Sequence, residues 1–238
     1  TDPATVYCSG FNLHKSSNSG TSLPEISSGS VHVDHHAIAF DPSDPRTIYF
    51  GTDGGIYKTT DSGTTFIDLN KRFLTTQFYP GFANAADDST IAMGGLQDNG
   101  TLKYTGSPSW IPIWGGDGGW CAIDPTNKNT IYSETQYGRI VRSYSGGGSF
   151  SQATVGLPGS QSDWNFIPPF AISPSDPQVL YAGSRNVYKT TNRGVSWFPS
   201  NGSASLNGTT IACIGVSWTS PDTVLAGTGS GTFGVAPL

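Results

Sequence analysis

Apolar and polar residues alternate in short runs along the whole chain, and no stretch keeps a helical period for a useful length. Between residues 36 and 69 four such runs follow one another: His36–Phe40, Thr47–Gly51, Ile56–Thr59 and Thr64–Leu69. Clusters of Pro, Asp, Ser and Gly separate them, stopping one strand before β-branched and aromatic residues start the next, so the pattern predicts four short antiparallel strands, A to D. The stretch leading into strand B, Asp41-Pro42-Ser43-Asp44-Pro45-Arg46-Thr47-Ile48-Tyr49, is echoed at Asp124–Tyr132 and at Ser173–Tyr181. Thr5-Val6-Tyr7, Thr90-Ile91-Ala92 and Thr223-Val224-Leu225 occupy the corresponding slots elsewhere.

A second element repeats in phase with the first, at a spacing of roughly forty residues or a multiple of it. Thr59-Thr60-Asp61-Ser62-Gly63-Thr64-Thr65-Phe66 is its fullest copy and Thr190–Trp197 the next. Ser16–Leu23 is a third, and Ser143–Phe150 a fourth that has lost its acidic or amide residue. Trp110 closes a shortened fifth. Each reads as a hairpin corner: a short Asp or Asn side chain hydrogen-bonds its own turn, and Gly two positions later takes a positive φ.

Together the two repeats predict an all-β chain of four-stranded blades, the unit of a β-propeller. Residues 1–27 supply B, C and D of a first blade, and 31–70, 75–113, 118–154 and 166–200 supply four whole ones. Residues 210–238 give A, B and a weak C of a sixth. The chain 1–238 is therefore expected to be a single domain of about five to six blades within a propeller of about seven, with partial blades at both ends. A rival closure has the last A strand complete the first blade, bringing Cys213 near Cys8. The further strand at Thr223–Gly227 speaks against it.

Composition narrows the function classes. Gly makes up 31 of 238 residues and charged residues only 12%, with a net charge of −5 and Lys and Arg scattered. No basic stripe suits a phosphate backbone and no apolar run reaches the ~20 residues of a membrane helix, so neither nucleic acid nor membrane is an expected partner. An extracellular or periplasmic location is expected. Cys8, Cys121 and Cys213 lie at repeat-like strand positions without metal-ligand spacing, and are expected to be small buried strand residues.

Function is expected on the face opposite the corners, where the loops from D to the next A and from B to C converge. Val31-His32-Val33-Asp34-His35-His36 enters the second blade, with His32, Asp34 and His36 expected on one side of an extended strand and Ile38 and Phe40 continuing that parity inward. That spacing permits a divalent metal with a fourth ligand from outside. Histidines hydrogen-bonded in the channel wall or touching a ligand are the preferred reading, and neither metal nor cofactor is expected. The B–C turns carry Asp53, Gln97 with Asp98, and Gln136 with Tyr137, while the entry loops carry Trp114, Asp117, Trp120 and Trp164. An Asp among glycines is also an ordinary turn former. Flanking glycine additionally lets backbone approach a ligand, and a cluster of tryptophans suits stacking on a sugar face as well as blade packing.

The corner motif resembles the Asp-box (BNR, sialidase-type) repeat, which implies a β-propeller and places the corner away from the active face. Thr52-Asp53-Gly54-Gly55-Ile56-Tyr57-Lys58 resembles a turn of family 74 glycoside hydrolases (xyloglucanases) that holds a catalytic aspartate, and Gly116-Asp117-Gly118-Gly119 is a weaker match to their second. The first turn here is one residue shorter before its Gly pair. The resemblance implies an inverting glycosidase acting on a polysaccharide or oligosaccharide through Asp53 and Asp117, with Asp98 a further candidate in one cleft. His32, Asp34, His36, Gln97, Gln136, Tyr137, Trp114, Trp120 and Trp164 are the expected ligand contacts. Family 74 enzymes close their cleft with a second propeller, so remaining blades or domains of a parent protein are expected partners. A non-catalytic carbohydrate- or protein-binding propeller and an assembly scaffold are the alternatives the residues leave open.

Overall fold

The computed structural model describes residues 3–27, 29–71, 77–200, 202, 204–230 and 233–237. The chain divides into two compact units, Thr1–Thr75 and Thr76–Leu238. In the first, β1 (Val6–Ser9) pairs with β2 (Leu13–Ser16), and a four-stranded sheet follows: β3 (His35–Phe40), β4 (Ile48–Thr52), β5 (Gly55–Thr59) and β6 (Ile67–Asp68). The second holds β7 (Ala83–Asn84) to β10 (Ile111–Trp114) through β8 (Ala92–Leu96) and β9 (Gly100–Tyr104). Next come β11 (Cys121–Asp124), β12 (Asn127–Thr135), β13 (Arg139–Ser143) and β14 (Ser151–Gln152), then β15 (Phe170–Ile172), β16 (Leu180–Gly183), β17 (Val187–Thr190) and β18 (Phe198–Pro199). β19 (Ile211–Val216), β20 (Thr223–Thr228) and β21 (Phe233–Pro237) complete it.

Within every sheet the hydrogen-bonded order is the chain order and every pairing is antiparallel, which is the propeller blade repeated. The fold is all-β, and the helical structure among the described residues is one 3-10 turn at Gln161–Asp163. The final strands of the blades at β6, β14 and β18 are two residues long, a length that leaves little unpaired edge. Residues 21–27 make only a bridge, His14 to Glu25, where a full D strand was expected. Pro24 has no N–H to donate to a ladder there. β19 pairs with β20 in its own sheet, and Phe233–Pro237 supplies the third strand.

The cores lie between neighbouring sheets rather than within one. Met93 of β8 packs with Cys121, Ile123 and Ile131, whereas Ala122 and Tyr132, turned the other way on the same strands, pack with Phe170, Leu180 and Ala182. Tyr181 then faces Ile211, Val224 and Ala226. In the first unit Leu13 packs with Ile48 and Phe50. The middle strands β8 and β16 are thus buried on both faces, which explains why their sequences run without strict alternation.

The corners share one hydrogen-bond pattern. Thr64 N and Thr65 N donate to Asp61 Oδ1 at 3.0 and 2.9 Å, and Gly63 N donates to the buried Thr59 hydroxyl at 2.9 Å. Asn192 accepts from Ser196 N at 3.0 Å and Asn18 from Ser22 N at 2.9 Å. In the corner without an acid, the Ser145 hydroxyl takes the same bond from Ser149 N at 3.0 Å. Ser62, Arg193 and Ser19 all have φ near +60° just before the glycine, so the corner's geometry overrides residue type.

Two expectations fail. Cys121 is buried, and burial pushes its thiol up to about 12, but Cys8 and Cys213 are exposed on their strands. Phe40 is not turned into the core: it is 51% exposed and meets Tyr7 edge-on at 5.7 Å.

Candidate functional site

In the first unit the polar residues gather around the β4–β5 turn. Asp34 has φ +60°, which breaks the extended run expected through residues 32–36, and a bulge between His35 and Ala37 shifts the register of β3. As a result His35, not His36, turns inward. Its ring is buried edge-on to Phe50, has no hydrogen-bond partner at either nitrogen among the described residues, and is held below the usual imidazole range by that burial. His36 points outward, 65% exposed at its side chain, and its Nε2 meets Asp53 Oδ1. Asp53 N donates to the Asp34 carbonyl at 3.2 Å. His32 and Asn70 fill the space above Gly54 and Gly55, where an added Cβ would come within 2.3 Å of the His32 ring and 2.0 Å of Asn70 Oδ1. His32, Asp34 and His36 therefore share one turn region without sharing one strand face.

In the second unit Asp117 joins the third and fourth blades. Its Oδ1 accepts from Asp98 N at 2.7 Å and its Oδ2 from Gln136 Nε2, so one carboxylate is bonded to the B–C turns of both blades. Glycines make the approach possible: a Cβ on Gly118 would lie 2.0 Å from Gly100 O, and one on Gly95 2.2 Å from Gly119 O. These glycines were expected to admit a ligand. They admit the neighbouring blade's backbone instead. Gly118 N donates to Leu96 O at 2.9 Å and Gly119 N to Glu134 O at 3.0 Å, closing the seam. Asp98 itself has φ +61°, which its short polar side chain tolerates. Gln97 accepts from the Tyr79 hydroxyl at 2.6 Å. Tyr137 also has φ +61°, unusual for so bulky a residue, with its ring edge-on to Phe166.

The tryptophans do not form one platform. Trp164 is only 6% exposed, lies over Gly138 and donates its indole N–H to Pro158 O at 3.1 Å, so it belongs to the inter-blade core. Trp120 is half-buried against the same core and covers Gly81. Trp114 lines a cavity.

That cavity, of about 520 Å³, is walled by Trp114, Gly115, Gly116, Thr135, Gln136, Arg139, Val141 and Gln152. It lies between β10 and the outer strands β13 and β14, beginning beside Asp117 through Gly116 and Gln136. Sequence reasoning did not find Arg139 or Gln152, because their approach to Trp114 is set by packing between blades, which no local pattern records. Glu134, two residues before Gln136 on β12, is not on the rim but fully buried beneath the seam. Its Oε1 accepts from Trp120 N at 3.1 Å, its Oε2 has no partner among the described residues, and burial holds it well above the usual carboxylate range.

No family model matches the chain. The chain is 31% identical over 155 residues to a xyloglucanase of Hypocrea jecorina (strain QM6a), a match covering 62% of this chain and 18% of that protein. It thus spans less than a fifth of its relative's length. Among solved structures it is similar to the GH74 xyloglucanase from Xanthomonas campestris, with a TM-score of 0.45 and 14% identity over 96% of this chain and 42% of that one. It is likewise similar to YCF48 from Cyanidioschyzon merolae, with a TM-score of 0.45 and 13% identity over 93% of this chain and 75% of that one. The chain is an all-β protein of propeller blades that resembles family 74 xyloglucanases over part of its length.

Proposed function

We propose that this chain is part of a secreted, glycan-acting propeller that hydrolyses a polysaccharide or oligosaccharide by an inverting reaction, with Asp53 and Asp117 each a candidate catalytic carboxyl group. The observation that carries the reading is the position of Asp117 at the head of an open cavity walled by an indole, amides and a hydroxyl, the groups that bind sugar faces and sugar hydroxyls. The partial likeness to a protein named as a xyloglucanase supports it. Glycoside cleavage needs one carboxyl to protonate the leaving oxygen and one to activate water. Asp53, with its His36 partner, has a route for exchanging a proton that a solitary turn aspartate lacks. Asp117→Asn and Asp53→Asn are each expected to slow hydrolysis by about 10²–10⁴ while leaving the unfolding midpoint nearly unchanged. Proton NMR of the first-formed anomer reads the stereochemistry, and unimpaired cleavage by either variant removes that residue from the reaction.

One observation favours a second reading, a binding module without catalysis. Both oxygens of Asp117 are already engaged by the protein, as a structural clasp requires. In that case wild-type protein binds glycan but releases no reducing sugar.

A further inference from the structure

The cavity between the third and fourth blades carries a group that a neutral sugar does not need. Arg139 stands in its wall, first residue of β13 and cross-strand partner of Thr135, and its side chain is exposed. Other cations are committed: Arg193 to Asp124, Lys189 to Asp222, Lys128 to Asp88 and Arg185 to Asp163. The Arg139 side chain has no hydrogen-bond or ion-pair partner among the described residues. Asp117, the nearest acid in the loop that borders the cavity, is held by Asp98 N and Gln136 Nε2.

Around this guanidinium the wall is ordered for a ring of sugar size. Trp114 is braced by Phe150 at 5.1 Å between ring centroids, and Val141 and Thr135 are buried beneath the surface. Gln152, paired across the strands with Val141, and Gln136 offer amide groups at the margins. An indole supplies a stacking face, amides reach hydroxyls, and a planar guanidinium matches a carboxylate through two parallel N–H donors.

The geometry points to a subsite for a carboxylated sugar: a hexuronate residue stacks on Trp114 and places its carboxylate on Arg139. This inference rests on the glycan reading above and adds to it that the preferred chain bears acidic residues. On a chain of net charge −5, an acidic ligand is held by a specific cation rather than by general attraction.

The test is calorimetric titration of the intact chain with a glucuronate-bearing xylo-oligosaccharide and with its neutral counterpart of equal length. Wild type is expected to bind the acidic ligand about tenfold or more tightly, the scale of a charge-assisted pair, with the preference shrinking as salt is raised. Arg139→Gln is expected to abolish the preference while keeping affinity for the neutral ligand, and Trp114→Ala to weaken both. Equal affinities in wild type, or a preference that survives Arg139→Gln, overturns the carboxylate subsite and leaves the glycan reading standing. Binding of neither ligand overturns both. Selective binding without hydrolysis upholds the subsite and removes only the catalytic step.

Discussion

At the scale of single residues, the seam around Asp117 leaves little room for change. Gly118 has no room for a methyl group, because the opposing atom is the Gly100 carbonyl and not a side chain that can turn aside. Gly118→Ala is expected to cost about 1–3 kcal/mol in urea unfolding, the range for forcing volume into a packed interior. By contrast, Gly115→Ala, which meets nothing, should leave stability within about 0.5 kcal/mol. Asp53 and Asp117 were legible in the sequence by where the repeat puts them, a B–C turn and an entry loop on the face opposite the corners. Their surroundings were not. The inward turn of His35 in place of His36 follows from a bulge and one left-handed residue, Asp34, and neither leaves a trace in the alternation of apolar positions.

At the scale of elements, the corners make a prediction in both directions. Asp61→Ala removes the acceptor for two backbone N–H groups and is expected to lower the thermal midpoint by a few degrees without touching glycan binding. Ser145→Asp supplies a stronger acceptor at the equivalent position and is expected to raise it by about a degree or two. Differential scanning calorimetry reads both, and a Ser145→Asp chain that melts earlier than wild type shows that the corners are not interchangeable. The strands themselves were readable to within a residue or two: His36–Phe40 was expected and His35–Phe40 is found, Thr47–Gly51 against Ile48–Thr52. What the pattern could not give was the length of the blade-ending strands, since Thr64–Leu69 has the residue types and length of a strand yet only Ile67–Asp68 pairs with β5.

At the scale of the whole molecule, stability should fall away on both sides of a mildly acidic optimum. The Ser43 hydroxyl beside Asp41, the Arg46 amide beside Asp44 and the Thr65 hydroxyl beside Asp61 hold these carboxyls below their usual range. A lowered carboxyl stabilises the fold above its ordinary pKa, and that contribution is lost as acid protonates it. Glu134 has the opposite sign. Burial raises it, so the unfolded chain releases its proton first and stability declines with rising pH above the ordinary glutamate range, by at most about 1.4 kcal/mol per pH unit. Glu134→Gln is expected to flatten that alkaline decline in urea titrations run across pH, and an unchanged slope would show that the buried acid does not govern it. Finally, the backbone seam divides the protein's capacity to change. Gly95, Gly100 and Gly118 are closed to substitution by the backbone they face, whereas Trp114, Arg139 and Gln152 stand in the wall of the adjoining cavity. Descendants of this sequence, natural or selected in the laboratory, can therefore acquire a taste for different ligands by rewriting the cavity wall while inheriting the carboxylate beside it unaltered.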